Sequence, residues 1–140
     1  MKRTHQGGFT LLELLVVLLI IGLLAGYVGP KYFSQIGRSN RTVAAAQIEA
    51  FSKAIDQFRV DTGQFPTTAQ GLNALVAQPT DVTRWAGPYL KKGIPLDPWG
   101  HAYVYTAPGG GTPARDYDIV SLGRDGAAGG SDDDADILSY

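Results

Sequence analysis

Two groups of acidic residues have the types and spacing to do chemistry. Near the C-terminal end, residues 121–136 read SLGRDGAAGGSDDDAD. A hard cation such as Ca2+ takes ~6–8 oxygen ligands from carboxylates, carbonyls and water. Asp125 next to Gly126, followed by Asp132, Asp133 and Asp134, can supply carboxylates, and the glycines between them let carbonyl oxygens turn inward. The pattern is not an EF-hand, which needs acids at alternate positions before its Gly and a Glu at the end. From spacing alone, a metal loop and an acidic, solvated tail both stay open. The second feature is Glu13, the one charge in the apolar stretch FTLLELLVVLLIIGLLAGYVG at residues 9–29. A charged side chain at a bilayer centre costs ~2.5–3.5 kcal/mol on insertion scales. Glu13 lies near the start of the stretch, where that cost is smaller. Its carboxylate either reaches the headgroups or meets a partner cation.

Other chemistry is missing. The chain has no cysteine, so it has no disulfide, thiolate zinc site or cysteine nucleophile. His5 and His101 are its two histidines, and no Ser-His-Asp set or dinucleotide fingerprint occurs. Gly109, Gly110 and Gly111 lack the Lys of a phosphate loop. The expectation is a protein that is not an enzyme. Net charge is −1, which argues against a nucleic-acid binder. The average hides an asymmetry: residues 2–5 carry Lys2, Arg3 and His5 without an acid, whereas residues 116–140 carry seven Asp and one base, Arg124.

These residues need elements to hold them. The 21 residues of 9–29 span ~31 Å as a helix, about one bilayer core. Lys2 and Arg3 precede the run, which places the N-terminus in the cytoplasm by the positive-inside rule and residues 31–140 on the far side. A removable signal peptide fits less well: the run exceeds the ~7–15 residues of a signal h-region, and the small pair Gly7-Gly8 stands before it. Gly22, Gly26, Gly29 and Pro30 allow either a kink near 22–30 or close helix packing. Beyond Pro30, Ala44, Ile48, Phe51, Ile55 and Phe58 mark one face of an amphipathic helix over about 31–61, with Gly63 as its stop. Thr67 and Gln70 have capping-box spacing, and the apolar pattern predicts a short helix over about 67–77. Residues 80–100 read as loop. Ala102–Thr106 and Tyr117–Ser121 read as strands of a small antiparallel sheet of two or three strands. Asp97 and Trp99 read as a turn carboxylate and a buried ring, His101 as a strand-edge residue.

Gly8-Phe9-Thr10-Leu11-Leu12-Glu13 resembles the class III leader shared by type IV pilins and type II secretion pseudopilins. The resemblance implies a prepilin peptidase that cuts after Gly8 and methylates Phe9, leaving residues 1–8 as leader and 9–30 as membrane and assembly helix. It also implies that Glu13 recognises the Phe9 amine of an adjacent subunit and sets the axial register. Three stretches narrow the likeness: Asp61 through Leu75, Leu96-Asp97-Pro98-Trp99-Gly100, and Tyr117 through Gly123. They are similar to the major pseudopilin of type II secretion, the general secretion pathway protein G family. The implied fold is α+β and type IV pilin-like: a long N-terminal helix packed on a small antiparallel sheet, with a calcium-binding C-terminal loop. One structural Ca2+ is implied there, on the carbonyls of Leu122 and Ala127 and the carboxylates of Asp125 and Asp132, with Asp133 as a further ligand and Asp134 and Asp136 ranked behind. The implied partners are copies of the same chain, minor pseudopilins and an inner-membrane assembly platform, and the implied setting is single-pass in the inner membrane with a periplasmic domain. Type IV major pilins for adhesion, motility or DNA uptake are the alternative, disfavoured because they close their C-terminal region with a disulfide. A monotopic binding module that never polymerises is a third reading, in which Glu13 and the Gly8-Phe9 junction have no purpose.

Overall fold

The computed structural model describes residues 7–140. One long helix, α1 (Leu11–Thr62), is followed by a 3-10 helix at Leu72–Leu75 and three short strands, β1 (Val104–Thr106), β2 (Asp118–Ser121) and β3 (Ile137–Leu138). A second 3-10 turn, Asp132–Asp134, precedes β3. The chain divides into two compact units, residues 1–36 and Gly37–Tyr140.

The first unit holds the apolar half of α1. Every large apolar side chain from Leu11 to Val28 is exposed, Val17 the least so at 46%. The exposure runs around all sides of the helix. It is long and apolar enough to cross a membrane by length and composition. Helical backbone runs through Pro30, where the sequence allowed a break.

The second unit has a core, and the sequence periodicity located its helical side. Ala44, Ile48, Phe51, Ile55 and Phe58 are all buried, and Ala54 joins them. Opposite them lie Leu72 and Leu75 of the first 3-10 helix, Tyr103 and Tyr105 around β1, Ile119 of β2 and Ile137 of β3. Phe51 meets Tyr103 edge to face with ring centroids 5.0 Å apart, and Phe58 meets Tyr89 at 5.7 Å. Buried phenols find acceptors: Tyr105 Oη donates to the Pro66 carbonyl at 2.8 Å, and Tyr103 Oη donates to Gln47 of α1. Gly63, at φ +82°, ends α1 as expected, its N–H donating to the Arg59 carbonyl at 2.7 Å.

The sheet is antiparallel in the order β1-β2-β3, with Tyr105 opposite Ile119 and Ser121 opposite Ile137. Both expected strands form, each shorter than the alternating pattern that marked it. The expected helix over 67–77 is a correction. The capping box does form: Gln70 N–H donates to Thr67 Oγ1 at 3.2 Å, and Thr67 N–H to Gln70 Oε1 at 2.8 Å. It caps one turn only, because Gly71 adopts φ +58° and ends the helical path, leaving the 3-10 helix Leu72–Leu75 beyond it.

The long β1–β2 connection is fastened to β2 by Asp118. Its Oδ1 accepts from Arg115 Nε at 2.6 Å and its Oδ2 from Gly110 N–H at 2.7 Å. The Arg115 guanidinium, and then the Gly110 N–H, hold this carboxyl below its ordinary range despite partial burial.

Replacing Phe58 by Ala should destabilise the second unit by about 3–5 kcal/mol, whereas Val60→Ala, at a position 76% exposed, should cost less than about 0.5 kcal/mol; denaturant unfolding followed by Trp fluorescence checks both. A depressed folded-state carboxyl contributes stability that is present above its unfolded value of ~3.9 and lost as pH falls through the folded one. Arg115→Gln should therefore raise the Asp118 titration point seen by NMR and shift acid unfolding to higher pH.

Candidate functional site

Two places hold the residues that the sequence singles out. The first is the start of α1. Gly8 and Phe9 precede the helix, and Phe9 is 81% exposed. Residues 1–6 of the expected leader, with Lys2, Arg3 and His5, lie outside the described residues. Thr10 caps the helix: its Oγ1 accepts the Glu13 N–H at 3.2 Å, and its carbonyl accepts the Leu14 N–H at 3.3 Å. A Thr three residues ahead of a Glu is a capping-box spacing that was legible in the sequence and not read there. Glu13 stands exposed in the first helical turn, where the helix dipole favours a negative charge. Its carboxylate is thus one turn from Phe9, in a segment whose large apolar side chains are exposed.

The second place is the loop between β2 and β3. Asp97, buried at 4% exposure, anchors its start. The carboxylate accepts from the Trp99 and His101 N–H groups at 3.1 and 2.8 Å through Oδ1, and from Ser121 Oγ at 2.7 Å through Oδ2. The reading of Asp97 as a turn carboxylate fits this, and the bond to Ser121 ties the turn to β2. His101 is not at a strand edge. Its Nδ1 lies 3.0 Å from the Gly123 carbonyl, and its ring lies where a Cβ on Gly126 would meet it at 3.1 Å.

Within the loop, Asp125 Oδ1 accepts the Ala127 N–H at 3.1 Å. Arg124 donates to Asp134 at 2.9 and 3.2 Å and approaches Asp133 at 3.8 Å. Asp132 sits at φ +51°, and its carbonyl accepts from Arg41 of α1 at 2.6 Å. Asp136 Oδ2 accepts the Gly129 N–H at 3.0 Å, while its Oδ1 is buried without a partner. Leu122 is half-buried, Ala127 exposed. Among the described residues no three acidic or histidine side chains converge.

The donor set still suits a hard cation. A buried carboxylate oxygen without a donor carries a desolvation cost that a cation would remove. The loop carries five aspartates (Asp125, Asp132, Asp133, Asp134 and Asp136) against two guanidinium groups, Arg124 on the carboxylates of Asp133 and Asp134 and Arg41 on backbone carbonyls. The excess is negative, and the donors are oxygens only, the chemistry of calcium more than of zinc. The orphan oxygen brings Asp136 forward from its lower rank. Arg41 carries no signal in the sequence, because its contacts lie 91 and 94 residues away.

A groove of about 480 Å3 lies elsewhere, between Thr68–Asn73, Ile94–Leu96, Tyr103 and Tyr105. Its titratable groups are Tyr103 and Tyr105. Burial first, and Asp97 second, push the Tyr103 phenol up to about 12; burial pushes Tyr105 up as well. Both stay neutral donors near neutral pH.

Comparison with known proteins bears on the family and the fold. A family described as type II secretion system (T2SS), protein G, matches residues 31–140, and a prokaryotic N-terminal methylation motif matches residues 3–28. Type II secretion system core protein G of Pseudomonas aeruginosa is 46% identical over 144 residues, covering 100% of this chain and 99% of that protein. Its counterpart from Vibrio cholerae is 41% identical over 143 residues, covering 99% and 94%. The crystal structure of the major pseudopilin from the type 2 secretion system of enterohaemorrhagic Escherichia coli superposes with a TM-score of 0.61 at 33% identity, over 76% of this chain and 90% of that one. The match over residues 31–140, the methylation motif at the start of the apolar helix and the identity to these relatives over the whole chain place it in the type II secretion system protein G family.

Proposed function

We propose that this chain is the major structural subunit of a type II secretion pseudopilus, polymerising through α1 to drive export of folded proteins across the outer membrane. The observation that carries the reading is the apolar half of α1, exposed on every side from Leu11 to Val28. Such a surface is stable only in lipid or against like helices. A subunit that leaves the membrane for a filament exchanges one for the other. In this reading a prepilin peptidase cuts between Gly8 and Phe9 and methylates Phe9. The new amine is a cation in an apolar setting, and Glu13, one turn on, is the anion that meets it from the same chain or a neighbour. Before assembly the chain is single-pass in the inner membrane, with a cytoplasmic N-terminus and a periplasmic domain. Minor pseudopilins and an inner-membrane platform are the partners, and a cytoplasmic ATPase supplies the energy.

The C-terminal loop is proposed to hold one structural Ca2+, with carbonyls of Leu122 and Ala127, carboxylates of Asp125, Asp132 and Asp133, and Asp136 as the further candidate that its orphan oxygen supports. When bound, the ion neutralises and gathers the acidic loop. A small domain without disulfides needs such a staple.

Glu13→Ala should leave cleavage intact and abolish filaments, as read by the mobility of the processed chain and by electron microscopy; normal filaments would contradict the role. A chelator should lower the melting temperature of the purified chain. A ligand at 100 Kd adds ~2.7 kcal/mol, a shift on the order of 10 °C for a domain of this size. Asp125→Ala should remove that shift.

A further inference from the structure

We propose that the acidic C-terminal segment is a latch on α1, that Gly37 and Arg41 are its receiving surface, and that cation occupancy of the loop tightens it. The regulatory part rests on the calcium reading above; the latch itself does not. Along α1, Gly37 is the first buried residue among those described, and the second compact unit begins there. A Cβ at Gly37 would lie 2.0 Å from Asp133 Oδ1 and 2.5 Å from its Cγ. A side chain there would have to displace the Asp133 carboxylate, which packs directly on the helix backbone at this position. A glycine in a helix interior costs about 1 kcal/mol relative to alanine, so this position gives up helix stability and gains close approach.

One turn further, Arg41 Nη1 donates to the Asp132 carbonyl at 2.6 Å and to the Ala135 carbonyl at 3.2 Å. These carbonyls belong to the 3-10 turn Asp132–Asp134 and the residue after it. Arg41 therefore holds backbone, while Arg124 holds the carboxylates of Asp134 and Asp133. The division of labour matters. Repulsion among the aspartates pushes the segment apart, and what moves with it is the carbonyl pair that Arg41 grips. Neutralising the loop with a cation relieves the repulsion and keeps those carbonyls in place. Losing the cation lets the segment lift, which uncovers Gly37 and frees Arg41. The anchored part of α1 then starts about two turns later, at Ala44. Arg41 is thus a positioning residue through which the loop sets how much of α1 is held by the domain.

Hydrogen–deuterium exchange on the full chain in detergent micelles tests this, with Ca2+ binding followed by calorimetry on the same samples. Arg41→Gln should speed exchange of amides 37–44 about tenfold, the scale of losing charge-assisted hydrogen bonds, and leave amides 51–58 unchanged; Arg41→Lys should restore much of the protection. A uniform rise along the helix, or none at 37–44, would overturn the latch, since general destabilisation moves every amide together. Added Ca2+ should slow exchange at 37–44 in the native chain and not in Arg41→Gln. Heat of Ca2+ binding without slowing would overturn the regulation. Absence of that heat would remove the calcium reading, and the metal-free comparison of native chain with Arg41→Gln would still decide the latch.

Discussion

The whole arrangement depends on one helix that meets two environments. In its first part α1 presents apolar side chains on all sides, and in its second part it confines them to a stripe. The hydrophobic effect treats the two differently. The stripe at Ala44, Ile48, Phe51, Ile55 and Phe58 finds its partners in the same chain and makes a core. The all-round surface finds none there and must be covered by lipid or by other helices. A domain with its own core is in this way continuous with a helical segment whose apolar surface is exposed on all sides.

The domain built on the stripe is small, and its three strands are two to four residues long. Polar fastenings join what the core does not. Asp97 collects two backbone N–H groups and the Ser121 hydroxyl in a dry site; Asp118 joins Arg115 to the Gly110 turn; and the acidic loop is gripped by Arg41 and Arg124. Each gathers donors onto acceptors that the chain brings together. Among the described residues, the buried carboxylate oxygen without a donor, Asp136 Oδ1, falls in the loop where a cation is proposed.

Much of this was legible before any coordinates. Periodicity identified the buried face of α1 residue by residue, because a helix with one partner surface must repeat its apolar side chains every three or four positions. The Gly8–Glu13 pattern and the run behind it pointed to the family that the comparisons show. Legibility failed where local signals competed or contacts were distant. The Thr67–Gln70 box was read correctly, yet Gly71 at positive φ cut the expected helix to a 3-10 turn. His101 was expected at a strand edge and lies instead against Gly123 and Gly126. Arg41 and Gly37 passed unnoticed, because nothing near them in sequence marks a surface shaped for Asp132–Ala135.

The central claim is that the two parts of α1 answer to different surroundings, and a nitroxide scan tests it directly. The chain has no cysteine, so single cysteines placed along residues 11–60 of the membrane-embedded protein report one site each. The account predicts high access to lipid-dissolved oxygen at every position from 11 to 28 without helical periodicity, then protection that repeats with the 3.6-residue period from 44 to 58. A 3.6-residue period of protection within 11–28, or free access there to a water-soluble relaxant, would contradict it.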